Sequence, residues 1–108
     1  MRIIRQGDVL LVPVPEMPAN AAPVAAEDSR LILARGEATG HHHSIRFEDR
    51  VALFREDGSG AGLFLSVTGA APAVLEHQEH HALQIPPGNF EVRRQKEYHP
   101  EEIRRVED

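Results

Sequence analysis

The sequence predicts an all-β domain, a small barrel or sandwich. Short β-branched and aliphatic runs recur between glycines, prolines and charged pairs, and no stretch sustains the 3.6-residue period of an amphipathic helix. The reversals also carry glycine where a tight turn needs positive φ. About seven short strands are expected on this pattern.

The elements follow in chain order. "DVLLVPV" (8–14) is entered through the turn-like "RQGD", and its unbroken apolar run suits a strand buried on both sides. "RLILAR" (30–35) is a second strand, stopped by Gly36. "HHSIRF" (42–47) and "RVALFR" (50–55) are separated by Glu48 and Asp49, and "EDGSG" joins the latter to "AGLFLSV" (61–67) as a hairpin. "PAVLEH" and "ALQI" flank a histidine-rich stretch, and "IPPG" turns the chain into "NFEVRRQKEY". "HPEEIRRVED" reads as a short C-terminal helical turn, with Pro100 in the first turn and Ile103 and Val106 sharing a face. The Ala/Pro-rich segment at 15–29 lacks a strand pattern and is long for a loop in so small a domain. Such loops are usually mobile or functional, and this one is a candidate lid.

The 108 residues form one domain, 1–108, with enough aliphatic content for a core: 41% hydrophobic residues against 27% charged. Cysteine is absent, which excludes disulfides, thiolate metal sites and thiol nucleophiles. Any metal must be held by nitrogen and oxygen. Twelve basic and seventeen acidic residues give a formal charge of −5, which disfavours sequence-independent nucleic-acid binding. No apolar run approaches the roughly 20 residues of a membrane helix. The N-terminal "MRIIRQGDVLL" turns polar early and has no signal-peptide core, so a cytoplasmic location is expected. A homo-oligomer is compatible with the sequence, which names no substrate and no protein partner.

The chemistry lies in the histidines. Of seven, three form "HHH" (41–43) and three fall in "EHQEHH" (76–81). On an extended strand, residues i and i+2 share a face with Cα atoms roughly 6.5 to 7 Å apart, so His41 and His43 point one way and His42 the other. Two imidazoles so fixed are a standard offer to zinc, iron, copper or nickel. His77 pairs with His80 or His81, whether their segment is a hairpin end or a helical turn. Glu79 and Glu37 are the candidate acid/base groups. The helical zinc-protease motif H-E-x-x-H fails because position 78 is glutamine. "RQGD" and "RRQKEY" could line a polar pocket, but pairing of terminal strands explains them equally well.

Two resemblances bear on this region. Gly36, His41-x-His43, Glu48 and the "PPG" at 86–88 resemble the cupin pattern, although Glu91 stands where that pattern has a further histidine. Over nearly its whole length, the chain resembles small uncharacterised bacterial and phage-encoded proteins. They begin "RQGDVLL", carry "GE-x-TGH-x-H" and end with "H-x-EH…PPG-x-(Y/F)-x-V-x-RQ-x-EY". That resemblance picks out Glu37, His41, His43, His77, Glu79 and His80, and it implies no particular activity.

The expectation is therefore one divalent transition metal held by His41, His43, His77 and His80. Zinc or iron comes first, with nickel, manganese or copper as alternatives. Such a site is either structural or, with an open coordination position, hydrolytic or oxygen-activating. The competing expectation is a non-catalytic protein-interaction module whose histidines are surface groups.

Overall fold

A computed structural model describes residues 2–36, 40–56 and 62–95, which form ten strands in two antiparallel sheets. The strands are β1 (Ile4–Gln6), β2 (Val9–Val14), β3 (Ala21–Pro23), β4 (Arg30–Arg35) and β5 (His42–Arg46). They continue with β6 (Val51–Glu56), β7 (Leu63–Val67), β8 (Ala73–Glu76), β9 (Leu83–Ile85) and β10 (Gly88–Arg94). One sheet runs β1-β2-β10-β7-β6-β3 and the other β4-β5-β8-β9. Neither order closes on itself, so the fold is sandwich-like and not a closed barrel.

The sheets share one core. Val9 and Leu11 of β2, Leu53 of β6, Leu65 of β7 and Phe90 of β10 meet Leu31 of β4, Ile45 of β5, Leu75 of β8 and Ile85 of β9 in a single buried cluster. β2 corrects an expectation. Its continuous apolar run suggested burial on both faces, but Val9 and Leu11 are buried while Leu10 and Val12 are only half-buried. A sandwich sheet presents one face to the core, so alternate residues must face outward.

Two strands lie outside the sequence expectation. β1 is three residues long and pairs with β2 across a reversal of only Gly7 and Asp8. β3 comes from the Ala/Pro-rich 15–29 segment and pairs with the edge of β6, where a Pro23 without an N–H costs the ladder little. The "EDGSG" reversal falls largely outside the described residues, but β6 and β7 are antiparallel neighbours as a hairpin requires. The expected C-terminal helical turn also lies outside the described residues. Among those described, no helix is long and apolar enough to cross a membrane.

One irregularity bears on the histidines. Ile32 opposes Ser44 but Ala34 opposes His43, so Leu33 is an extra residue in the β4–β5 ladder. Such a bulge bends the strand and re-aims its neighbours. Here it turns both Leu33 and Ala34 inward, opposite the strand that carries His43.

Candidate functional site

Strand register brings the two histidine clusters together. β5 and β8 pair with Ser44 opposite Glu76 and Ile45 opposite Leu75, and one further step along the same register sets His43 opposite His77. Their ring centroids are 4.3 Å apart. The β8–β9 hairpin then reverses through residues 77–82 and returns His80, whose ring lies 4.6 Å from His77 and 6.0 Å from His43. His41 meets His77 edge-on at 5.8 Å. The segment is thus a hairpin end.

Parity decides which ring of the triple run goes where. His43 shares the core-facing side of β5 with Ile45 and is 2% exposed. His42 faces away, beside Gln78: its backbone N–H donates to Gln78 Oε1 at 2.8 Å, and Gln78 Nε2 lies 3.4 Å from His42 Nε2. Of the expected pair at the hairpin end, His80 enters the cluster. His81 contributes its backbone carbonyl, which accepts a hydrogen bond from Gln6 Nε2 at 2.9 Å.

Glu79 lies at the exposed rim, 3.4 Å from His41 Nδ1 through Oε2. The cluster therefore has a buried floor at His43 and a solvent-facing rim at Glu79 and His80. Glu37 lies outside the described residues.

The other sheet supplies the floor. Gln6 is 3% exposed and donates through Nε2 to the carbonyls of Leu75 and His81. Carbonyls only accept, so the amide orientation is fixed and Oε1 is the atom 2.8 Å from His43 Nδ1. His43 must therefore carry a hydrogen on Nδ1, leaving Nε2 as its coordinating nitrogen. This is the arrangement in which an outer partner orients a metal-ligating imidazole.

Asp8 sits in the adjoining turn, its Oδ1 3.6 Å from His43 Nε2. Arg94 bonds Asp8 twice, through Nε at 3.2 Å and Nη2 at 2.9 Å, both to Oδ2. It also donates from Nη1 to the carbonyl of Arg35, tying β10 to the end of β4.

The electrostatics favour neutral rings at His43 and His77. Burial pushes the His43 pKa from 6.5 down to about 4, helped by the neighbouring His77 and opposed by Asp8. His77 is lowered by burial and by the charges that His80 and His41 would carry. Burial raises the Asp8 carboxyl, but the hydrogen bond and charge of Arg94 outweigh it and keep Asp8 below the usual carboxylate value. Neutral imidazole beside a carboxylate is the state that binds a cation.

One contact opposes ligation. The Glu79 N–H donates to His77 Nδ1 at 3.0 Å, so that lone pair is occupied by backbone. Among the described residues, no three His, Asp or Glu side chains are grouped so as to hold a metal ion. Ligation by His77 therefore requires its ring to turn or to exchange this bond.

Gly7 shows how closely the turn packs on the rings. It has φ +61° at the first central position of a two-residue hairpin, the place that a type II′ turn reserves for glycine. A Cβ there would lie 2.7 Å from His80 Nε2 and 3.3 Å from His43 Cε1. Gly7→Ala is expected to cost about 1–2 kcal/mol through its left-handed backbone and to push the exposed His80 ring outward. Denaturation in chelator measures the first effect, and the second should appear as weaker metal uptake.

Sequence reasoning leaves Gln6, Asp8 and Arg94 undecided. The signal lies in "RQGD" and "RRQKEY", for which strand pairing and a polar pocket are the alternatives. The pairing is present, with Arg94 opposite Val9 in the β10–β2 ladder beside the Gly7–Asp8 turn. Residues 5–95 match a domain of unknown function, DUF8820. The chain belongs to the DUF8820 family. The match spans Gln6, Asp8, both histidine clusters and Arg94, so the whole site lies inside the DUF8820 domain. No curated protein and no solved structure matches the chain.

Proposed function

We propose that this DUF8820 domain is a cytoplasmic metal-binding protein, holding one divalent transition metal through His41, His43, His77 and His80. The observation that supports this most is the convergence of four imidazoles from two distant segments, with neighbouring centroids 4.3–6.0 Å apart. Rings bound through nitrogens at about 2.0–2.1 Å in a tetrahedral array have centroids roughly 5 Å apart, so the spacing suits a shared ion. Zinc or iron suits neutral imidazoles best, and nickel, manganese or copper would be accepted by the same donors.

Bound there, the ion would supply Lewis acidity and, with a position open to solvent, an activated water or oxygen ligand. The chain's own contributions are separate. Gln6 fixes the His43 ring, the buried floor excludes water from one side, and Glu79 at the rim is within reach to take or give a proton.

Elemental analysis of untagged protein tests the reading, with close to one transition-metal ion per chain expected. Protein that is isolated metal-free and then takes up no zinc, iron, nickel or manganese would leave the histidines as surface groups of an interaction module. The parity of the strand adds a second test. His41→Ala should weaken uptake severely and His42→Ala should change it little. Equal losses would mean that the ligand assignment along this segment is wrong.

A further inference from the structure

We infer that Asp8 supplies a carboxylate oxygen to the same metal, and that Arg94 is the positioning residue that aims it. The inference rests on the metal reading above and adds a ligand from the opposite sheet. Three observations on the β1–β2 turn carry it.

The first is distance. Asp8 Oδ1 and His43 Nε2 lie 3.6 Å apart, beyond the usual 2.7–3.2 Å of an N–H···O hydrogen bond. Two donors held at about 2.0–2.1 Å by one five-coordinate ion lie roughly 2.8–3.6 Å apart. The pair is spaced for a shared cation.

The second is hydrogen placement. The Gln6 amide, anchored on two carbonyls, requires the His43 hydrogen to be on Nδ1. The nitrogen facing Asp8 is therefore an electron-pair donor, and so is the carboxylate. Two donors held face to face at the floor of the site need an electron-pair acceptor between them.

The third is the use made of the carboxylate. Both guanidinium bonds from Arg94 fall on Oδ2. Arg94 anchors Oδ2 alone and so turns Oδ1 toward His43, while the Asp8 backbone N–H is a further donor to the carboxylate. Arg94 is itself fixed by its strand register and by the carbonyl of Arg35. The Asp8 backbone carbonyl is also tied down, accepting from the Gln95 N–H at 2.8 Å. The carboxylate is held from both ends.

The site so described takes mixed nitrogen and oxygen ligation from both sheets, closed on the core side and open at the rim. An oxygen ligand shifts preference toward harder ions such as zinc, ferrous iron or manganese and away from cuprous copper.

Cobalt(II) is the probe, because its visible absorption reports both the number and the type of donors. Affinity is read by competition with a chromophoric chelator on the intact, untagged chain. Asp8→Asn keeps the shape and removes the charge, and it should weaken cobalt binding on the order of 100-fold and alter the absorption spectrum. Arg94→Gln should weaken it about 10-fold, in the range found for groups that orient a ligand. Asp49→Asn removes an acid from the β5–β6 turn and should change neither. If wild type binds cobalt and Asp8→Asn binds it with equal affinity and the same spectrum, Asp8 is no ligand and only this inference falls. If wild type binds neither cobalt nor zinc, the metal reading falls and takes Asp8 with it. Should Asp8→Asn fail to fold, Asp8→Glu decides: it keeps the charge but displaces the oxygen by one methylene. An altered cobalt spectrum supports ligation, and an unchanged one overturns it.

Discussion

Replacing His43 with alanine is expected to remove tight metal binding and, even in chelator, to destabilise the fold by about 3 kcal/mol. His43 is the one histidine of the cluster that the core has closed over, at 2% exposure. Its loss leaves Gln6 Oε1 without a donor in a buried position, a penalty of roughly 1–3 kcal/mol. It also leaves a cavity beside Ala34, His77 and the Gly7 turn, which can collapse only partly. His42→Ala is the matched control. Among the described residues the buried His42 Nδ1 has no hydrogen-bond partner, so removing that ring should change stability by less than about 0.5 kcal/mol. Urea denaturation of both variants in chelator at neutral pH makes the comparison. Similar losses in the two would mean that burial of His43 and its bond to Gln6 contribute little. A Gln6→Ala, His43→Ala pair adds a check, since residues that share a hydrogen bond should not be additive.

Much of the fold was legible because strands announce themselves by local pattern. "RLILAR" and β4 coincide, and the limits read for β2, β5, β6 and β7 lie within two residues of those observed. β1 and β3 were hidden for a physical reason. A three-residue strand has no room for alternation, and the composition of "AAP" argues against a strand altogether, so both exist only because a neighbour offers an edge. Tertiary context made them.

The site divided along similar lines. Which of His41, His42 and His43 share a face follows from the two-residue period of a strand, and the sequence suffices for that. That His80 enters the cluster while His81 turns its carbonyl to Gln6 needs the hairpin geometry, which "EHQEHH" leaves open between a reversal and a helical turn. Gln6, Asp8 and Arg94 were harder still. A glutamine that orients a histidine looks, in sequence, like any glutamine before a turn. Its role depends on contacts with Leu75 and His81, at the far end of the chain. Glu79 shows the reverse case: its acid was legible, but its backbone N–H, which occupies His77 Nδ1, was not.

Acidification of the metal-free protein should reveal the same buried imidazole. In the fold, burial and the proximity of His77 hold His43 down to about 4, against 6.5 for the ordinary side chain. Between these values the unfolded chain binds a proton that the folded chain refuses. Stability is therefore complete above about pH 6.5, falls as the pH drops toward 4, and below 4 loses nothing further from this group. The span of 2.5 units, from 6.5 to about 4, corresponds to on the order of 3 kcal/mol at 1.36 kcal/mol per unit. His77, also lowered, acts in the same direction. Asp8, whose pKa is lowered too, adds its loss at more acid pH, as the carboxylate protonates and its bond to Arg94 weakens. Urea denaturation at half-unit steps from pH 7.5 to 4, in chelator, measures the curve. His43→Gln places an amide beside Gln6 that cannot titrate, and it should flatten most of the slope between 6.5 and 4 even if its stability at pH 7 is lower. A wild-type protein whose unfolding free energy is level across this range would mean that His43 accepts its proton in the fold as readily as in water. The His43 nitrogen would then not be kept neutral by burial, and it would face protons on equal terms with any metal.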